Sequence, residues 1–348
     1  LIVDDSAIVR RILSETLAAE DGIEVVGTAP DAYVAAGKIQ SLKPDVVTLD
    51  IEMPRMDGLT FLRQLMEKTP LPVIIVSSLA QPSCKVAVEA LRSGAVDILA
   101  KPAGPYSVGE LRAAMPQKIR AAASARIRRT AAPVALKSPP AVHYSNRGLR
   151  LIAIGASTGG TEAIETILRC LPPNAPPVLA TQHIPAGFSR AFADRLNAVC
   201  AIEVKEAANG DVPRPGQALI APGGQHMILR RREDGYAIRI ADGPRVCYQR
   251  PSVDVLFQSV AEVAGPAAAG VLLTGMGSDG ARGLLRLREA GARTFAQDEA
   301  SCVVFGMPRE AVRLGAAEQV VPLRLMAEAI LGERRRPANG PATAVHVA

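Results

Sequence analysis

Between Leu151 and Thr161 the chain reads Leu-Ile-Ala-Ile-Gly-Ala-Ser-Thr-Gly-Gly-Thr, a stretch that few folds can use. The four apolar residues 151–154 have the length and composition of a buried strand. A glycine-rich turn follows, and then Ala163, Ile164, Ile167 and Leu168 recur at helical spacing. Strand, tight turn and helix in that order belong to open parallel α/β sheets, whose sites lie at strand carboxyl ends. A G-x-S-x-G nucleophile needs the same context, with Ser157 standing at the strand end. The amides of Thr158 and Gly159 then become candidates to face a developing oxyanion. A phosphate cradle with a bystander serine uses the same turn, so this stretch alone leaves both readings open.

A chain of 348 residues has room for two cores. Hydrophobic residues make up 48% and charged residues 21%, as in soluble globular proteins. No apolar run approaches the roughly 20 residues that span a bilayer, and no secretory signal is visible. A cytoplasmic protein without membrane insertion is expected. The five cysteines are scattered and none forms a C-x-x-C pair, which argues against a disulfide framework or a structural zinc site. The chain carries +6 overall, yet residues 111–150 hold nine Lys or Arg and no acid, so the remainder is net −3. The basic charge therefore belongs to one segment, not to a folded face, and no nucleic-acid partner is expected.

Residues 1–112 alternate short apolar runs with amphipathic stretches. Strands are expected over 1–3, 23–28, 45–49, 73–76 and 96–99, with helices between them, for example over 7–19 and 59–68. Five such units predict a flavodoxin-like (βα)5 sheet wound on both faces. Polar residues punctuate the strand ends: Asp4 and Asp5 after the first, Asp50 after the third, Ser77 after the fourth, Lys101 after the fifth. Three converging carboxylates need a cation, and an oxygen-only set with few protein ligands suits Mg²⁺. A lysine and a hydroxyl beside them suit an added phosphoryl group.

These residues resemble a known family. Val3-Asp-Asp-Ser6, Leu49-Asp-Ile-Glu-Met-Pro-Arg-Met-Asp-Gly58, Val76-Ser-Ser78 and Lys101-Pro102 look like the receiver domain of two-component response regulators. The resemblance implies that Asp50 accepts phosphate from a histidine kinase and that Asp4, Asp5 and Asp50 bind Mg²⁺. It also implies that Ser77 contacts the phosphoryl group and Lys101 pairs with it. Serine stands at 77 where threonine is commoner, which keeps the hydroxyl.

Residues 113–148 lose this pattern and read as a basic, proline- and alanine-rich linker, whose stretch 121–129 could continue the last helix of the first domain. The second domain, 149–335, alternates strand and helix again and predicts a doubly wound, mostly parallel sheet. Residues 336–348 read as a tail. Three of its apolar runs end in reactive residues: 151–154 leads to Ser157, 178–182 to His183, and 270–274 to Gly275-Met-Gly-Ser-Asp-Gly280. If these strands are parallel, Ser157, His183 and Asp279 share one sheet edge, which suits a nucleophile, a base and its orienting carboxylate. His226 is the rival base. The loop 275–280 also matches G-x-G-x-x-G, with Asp298 at the distance of a ribose-binding acid, so a dinucleotide site is an alternative. A non-enzymatic output domain is another, although DNA-binding outputs are usually compact helical modules.

Here too the residues resemble a family. Gly155-Ala-Ser-Thr-Gly-Gly160, Gln182-His-Ile-Pro185, Ala221-Pro-Gly-Gly224, Arg250-Pro-Ser-Val-Asp-Val-Leu-Phe257, Leu273-Thr-Gly-Met-Gly-Ser-Asp-Gly280 and Cys302-Val-Val-Phe-Gly-Met-Pro308 are similar to the catalytic domain of chemotaxis receptor methylesterases. With the receiver in front, the architecture resembles the protein-glutamate methylesterase response regulators. That resemblance implies hydrolysis of methyl-glutamate esters on chemoreceptors, with release of methanol, and deamidation of receptor glutamines. Ser157 would be the nucleophile, His183 the base, Asp279 its orienter, and the Met276 amide an oxyanion donor. A chemotaxis histidine kinase would supply the phosphate, Mg²⁺ would serve the receiver only, and ester hydrolysis would need no cofactor.

Overall fold

The computed structural model describes residues 1–102, 105–127 and 148–332. In the first half the strands are β1 (Ile2–Val3), β2 (Thr28–Ala29), β3 (Val47–Asp50), β4 (Val73–Ser77) and β5 (Asp97–Ala100). They form one sheet in the order β2-β1-β3-β4-β5, with every pair parallel. Every residue of β3 and β4 is buried, which requires helices on both faces. Those helices are α1 (Ala7–Ala18), α2 (Ala32–Leu42), α3 (Gly58–Lys68), α4 (Gln81–Arg92) and α5 (Pro105–Ala123). Ser6, Asp31 and Asp57 cap the first three by accepting first-turn amides.

The second half adds β6 (Leu151–Ala156), α6 (Gly160–Leu168), β7 (Val178–Gln182), α7 (Phe188–Val199), β8 (Glu203–Glu206) and β9 (Gln217–Ile220). The hairpin β10 (His226–Arg232) and β11 (Gly235–Ala241) follows, then α8 (Val253–Val263), β12 (Ala268–Leu272), α9 (Ala281–Glu289) and β13 (Arg293–Gln297). The last elements are α10 (Met307–Arg313), β14 (Gln319–Val321) and α11 (Met326–Leu331). Seven strands form a parallel sheet in the order β14-β13-β12-β6-β7-β9-β8. Strand order reverses at β1 in the first sheet and at β6 in the second. Crevices open at the carboxyl ends of strands at such reversals.

Two expectations are corrected. The second strand was expected over 23–28, but only Thr28 and Ala29 pair with β1. The register Ile2↔Thr28 puts Gly27 opposite Leu1, so residues 23–26 lie beyond the ladder; Ile23 and Val25 pack instead against the α1–α5 cluster. Helix α5 continues to Ala123, past residue 112, despite Pro116 within it. Its Met115 and Ala122 join the apolar cluster beneath the first sheet, which holds the extension in place. Most of the expected linker (128–147), the last three residues of the expected second domain (333–335) and the expected tail (336–348) lie outside the described residues.

The two halves are in contact. Helix α4 packs on α6 and α7, and buried apolar residues of both halves form one continuous cluster. Arg195 of α7 lies 3.8 Å from Glu89 of α4 and 3.1 Å from Glu165 of α6. Past α5, Arg126 pairs with Glu299 at 2.6 Å, and its amide donates to the Val303 carbonyl at 3.0 Å.

Candidate active site

Ser157 follows β6 directly, and β6 lies between β7 and β12, parallel to both. The strand brings the serine to the sheet edge, and the turn holds it there. Its amide donates to the Thr274 carbonyl at 3.0 Å; its carbonyl accepts from Gly160 N at 2.7 Å and from Gln182 Nε2 at 2.8 Å. Two glycines make this geometry available. A Cβ at Gly155 would lie 2.1 Å from Val253 Cγ1, so α8 can press on β6 only there. Gly159 has φ of +77° and faces Val303, where a Cβ would approach within 2.6 Å.

His183 leaves the end of β7, and its amide donates to the Ala156 carbonyl at 3.0 Å. Its Nε2 lies 2.7 Å from Asp279 Oδ2, with both side chains buried. The other ring nitrogen, Nδ1, is buried and has no hydrogen-bond partner among the described residues. Ser157, Gln182 and His183 line one small cavity of about 10 Å³. Nδ1 is thus the nitrogen left to take a proton, while Asp279 fixes the ring through Nε2. No hydrogen bond joins Ser157 Oγ to His183 in this covered state, among the described residues.

Asp279 precedes α9 and receives four groups. Besides His183, Ser252 Oγ donates to it at 2.7 Å, Val253 N at 2.8 Å and Asp254 N at 3.1 Å. Burial alone pushes this carboxyl up. The His183 hydrogen bond and charge, the Val253 amide and the Ser252 hydroxyl outweigh burial and hold it below the usual carboxylate range.

The amides of Thr158, Gly159 and Met276 donate to no other described residue, so all three remain available to an oxyanion. The Met276 loop is anchored by Gly306 N and Met307 N on the Gly275 carbonyl, at 3.0 and 2.8 Å. Thr274 was not singled out in the sequence. Its hydroxyl donates to the Thr158 carbonyl at 3.0 Å and accepts from Val303 N and Val304 N at 3.1 and 3.0 Å. Gln182 was also missed as a contributor, although it stands in a motif read for His183.

His226 is not brought to Ser157. Its Nε2 meets the Pro244 carbonyl at 3.0 Å and its Nδ1 accepts from Ser252 N at 3.2 Å, so both nitrogens are engaged. The nucleotide alternative also fails. Asp298 accepts from the Ser301 amide and hydroxyl within its own turn, and Asp279, inside the glycine loop, is committed to His183.

In the first domain, Asp4, Asp5 and Asp50 place ligand oxygens within 4.8 Å of one another. Lys101 Nζ lies 2.7 Å from Asp50 Oδ2 and 3.1 Å from Asp4 Oδ2. The ammonium therefore sits between the two buried carboxylates and pairs with both. Burial pushes the Asp50 carboxyl up to about 6, against the Lys101 contact and with the Asp4 charge; burial also raises Asp4. Three carboxylates gathered in an oxygen-only set fit a Mg²⁺ ion. Ser77 is buried at the end of β4, next to β3 and Asp50.

The catalytic face is covered. Ser157 is 8% exposed and Thr158 2%. Thr158 Oγ1 donates across the domain junction to Asp97 Oδ2 at 2.7 Å, and Asp97 is also paired with Lys118 of α5. Leu91, Val96 and Ile98 of the first domain wall the cavity that holds Ser157 and His183.

The family model described as CheB methylesterase matches residues 152–330, and that for the response regulator receiver domain matches residues 1–114. The chain is 54% identical over 336 residues to protein-glutamate methylesterase/protein-glutamine glutaminase 2 of Syntrophus aciditrophicus, covering 95% of this chain and 97% of the relative. It is 53% identical over 335 residues to protein-glutamate methylesterase/protein-glutamine glutaminase 4 of Anaeromyxobacter dehalogenans, covering 95% and 93%. Among solved structures, the CheB methylesterase catalytic domain of Thermotoga maritima is similar with a TM-score of 0.51 and 34% identity, over 52% of this chain and 97% of that one.

Proposed function

The chain belongs to the CheB methylesterase family, with a response regulator receiver domain ahead of the catalytic domain, and from that premise we propose a phosphorylation-controlled protein-glutamate methylesterase and protein-glutamine glutaminase of chemotaxis signalling. Its substrates are methylated glutamates and glutamines of chemoreceptors, and its phosphodonor is a chemotaxis histidine kinase. The observation that carries the reading is the buried His183–Asp279 pair at 2.7 Å, whose histidine lines one cavity with Ser157.

The chemistry follows from those groups. Ser157 Oγ attacks the ester carbonyl and His183 Nδ1 takes its proton. The carbonyl oxygen gains charge within reach of the Thr158, Gly159 and Met276 amides, and such a donor is typically worth about 10²–10³ in rate. The C–O bond to the methoxy group breaks and His183 gives the proton to departing methanol. Water, deprotonated by the same nitrogen, then attacks the acyl-enzyme; the bond to Ser157 Oγ breaks, His183 returns the proton to that oxygen and glutamate leaves. With glutamine the leaving group is ammonia and nothing else changes.

The receiver works separately. Asp50 is the phosphoacceptor, and Asp4, Asp5 and Asp50 would hold Mg²⁺, which neutralises charge during phosphoryl transfer. Ser77 and Lys101 would contact the phosphoryl group. No helix among the described residues is long and apolar enough to cross a membrane, and scattered free cysteines suit the cytoplasm. The test is methanol release from a methyl-esterified chemoreceptor, with acetyl phosphate and Mg²⁺ present. The full chain should release methanol and Ser157→Ala should not; equal release by both overturns the assignment.

A further inference from the structure

The segment Arg250–Phe257 shares the family pattern yet has no role in the chemistry above. It forms the entry to α8, and the Ser252 hydroxyl and the Val253 and Asp254 amides converge on Asp279. Ser252 caps α8, accepting from Val255 N at 3.4 Å while its hydroxyl proton goes to Asp279 Oδ1. The next two amides of the helix, Val253 N and Asp254 N, also point at that carboxylate. The favour is returned: Gly283 N, in the first turn of α9, donates to Asp254 Oδ1 at 2.7 Å. Two helix starts are therefore capped crosswise, each by an acid at the start of the other.

A further contact fixes the backbone at the start of α8. His226 supplies it. Its Nε2–H donates to the Pro244 carbonyl, which leaves Nδ1 as an acceptor for Ser252 N–H. His226 opens β10, and farther along the same hairpin Leu229 N donates to Ser259 Oγ of α8 at 3.0 Å. The β10–β11 hairpin thus holds α8 at two points, and the first is one residue from the donors to Asp279.

We propose that His226 and Ser252 are positioning residues of the hydrolytic site: His226 fixes the Ser252 backbone, and Ser252 aims Asp279 at His183. Neither touches the substrate or the reacting atoms. The inference rests on the triad reading of the site. It accounts for a second buried histidine near the triad and for the Arg250–Phe257 motif with one set of contacts.

The two arms of His226 can be separated by substitution. His226→Asn keeps an acceptor where Nδ1 stands and loses the Pro244 contact. His226→Gln reaches Pro244 and loses the acceptor for Ser252 N. The experiment uses the full chain with acetyl phosphate and Mg²⁺ and has two readouts. One is the rate at which a fluorophosphonate labels Ser157, which reports triad assembly without a receptor. The other is kcat and KM for methanol release from a methyl-esterified chemoreceptor. Losing a hydrogen bond costs a few-fold to about tenfold between neutral groups and about tenfold or more at a charged one. Ser252→Ala should label about tenfold more slowly, and His226→Ala and His226→Gln a few-fold to about tenfold more slowly, with kcat reduced alike and KM unchanged, whereas His226→Asn should stay within about twofold of wild type. Wild-type labelling rates in Ser252→Ala and His226→Gln overturn the proposal, as does an Asn variant no faster than Gln. Rapid labelling of the wild type without methanol release would refute the methylesterase reading instead, and the labelling series would still decide the roles of His226 and Ser252.

Discussion

Asp279 shows how much of this site depends on single donors. Its carboxyl is held below the usual carboxylate range although burial pushes it up. A carboxylate depressed in the folded chain stabilises the fold above its unfolded value of about 3.9, and that contribution is lost as pH falls through the lower folded value. Asp279→Asn should therefore be about 1.5–3 kcal/mol less stable than wild type at pH 7. The gap should close in denaturant titrations as pH drops below about 4. A gap of constant size down to pH 3 would show that the donors do not favour the charge. The same variant should lose about 10⁴ in kcat, because an amide cannot hold the imidazole in the required tautomer. Ser157→Ala and His183→Ala should be comparably inactive, since members of a triad act as a unit. His226→Ala, outside the triad, should be far milder in the same methanol assay. At the receiver, Asp50→Asn should abolish labelling by acetyl phosphate in Mg²⁺, and undiminished labelling would move the acceptor to another residue.

At the scale of elements, the contact between β6 and α8 decides whether the serine turn can exist. The strand meets the helix at Gly155 and Val253, with no room for a methyl group. Gly155→Ala should destabilise the protein by about 1–3 kcal/mol, the usual cost of overpacking. Val253→Ala in the same chain should recover part of that loss, and a denaturant double-mutant cycle measures the recovery. Strictly additive losses would mean that the methyl group finds space elsewhere. The elements carrying the site were legible in the sequence because buried parallel strands are unbroken apolar runs ended by polar residues. Ser157, His183 and Asp50 all follow such runs. The short β2 was not legible, because its length depends on the register with β1. The choice between His183 and His226 was only partly legible: both stand beside apolar strands, and only the contacts of their ring nitrogens separate them. Thr274 and Ser252 act through hydrogen bonds to segments 116 and 27 residues away, which no local pattern records.

On the scale of the whole molecule, the receiver lies over the Ser157–His183 face, and Asp97 bonds Thr158, the residue next to the proposed nucleophile. Asp97 opens β5, and Lys101, just past the other end of that strand, sits against Asp50. One short strand thus spans the proposed phosphorylation site and the junction. Magnitudes indicate how much the Asp97–Thr158 bond can control. A hydrogen bond to a charged group contributes about 1.5–3 kcal/mol, and Asp97 keeps its Lys118 partner when the domains part, so the lower end applies. Moving a closed chain from 1:99 to 99:1 needs about 5.5 kcal/mol. Asp97→Ala should therefore raise unphosphorylated activity only severalfold to tenfold, with a smaller further increase from acetyl phosphate. Removing residues 1–140 deletes every receiver contact and should raise basal activity well beyond that, with no response to acetyl phosphate. The solved Thermotoga maritima relative is a catalytic domain by itself, which favours a folded fragment here. If the isolated domain is no faster than the unphosphorylated chain, covering the site is not how the receiver restrains it. Phosphorylation would then have to build the active arrangement rather than uncover it, and Asp97→Ala would slow the enzyme instead of releasing it.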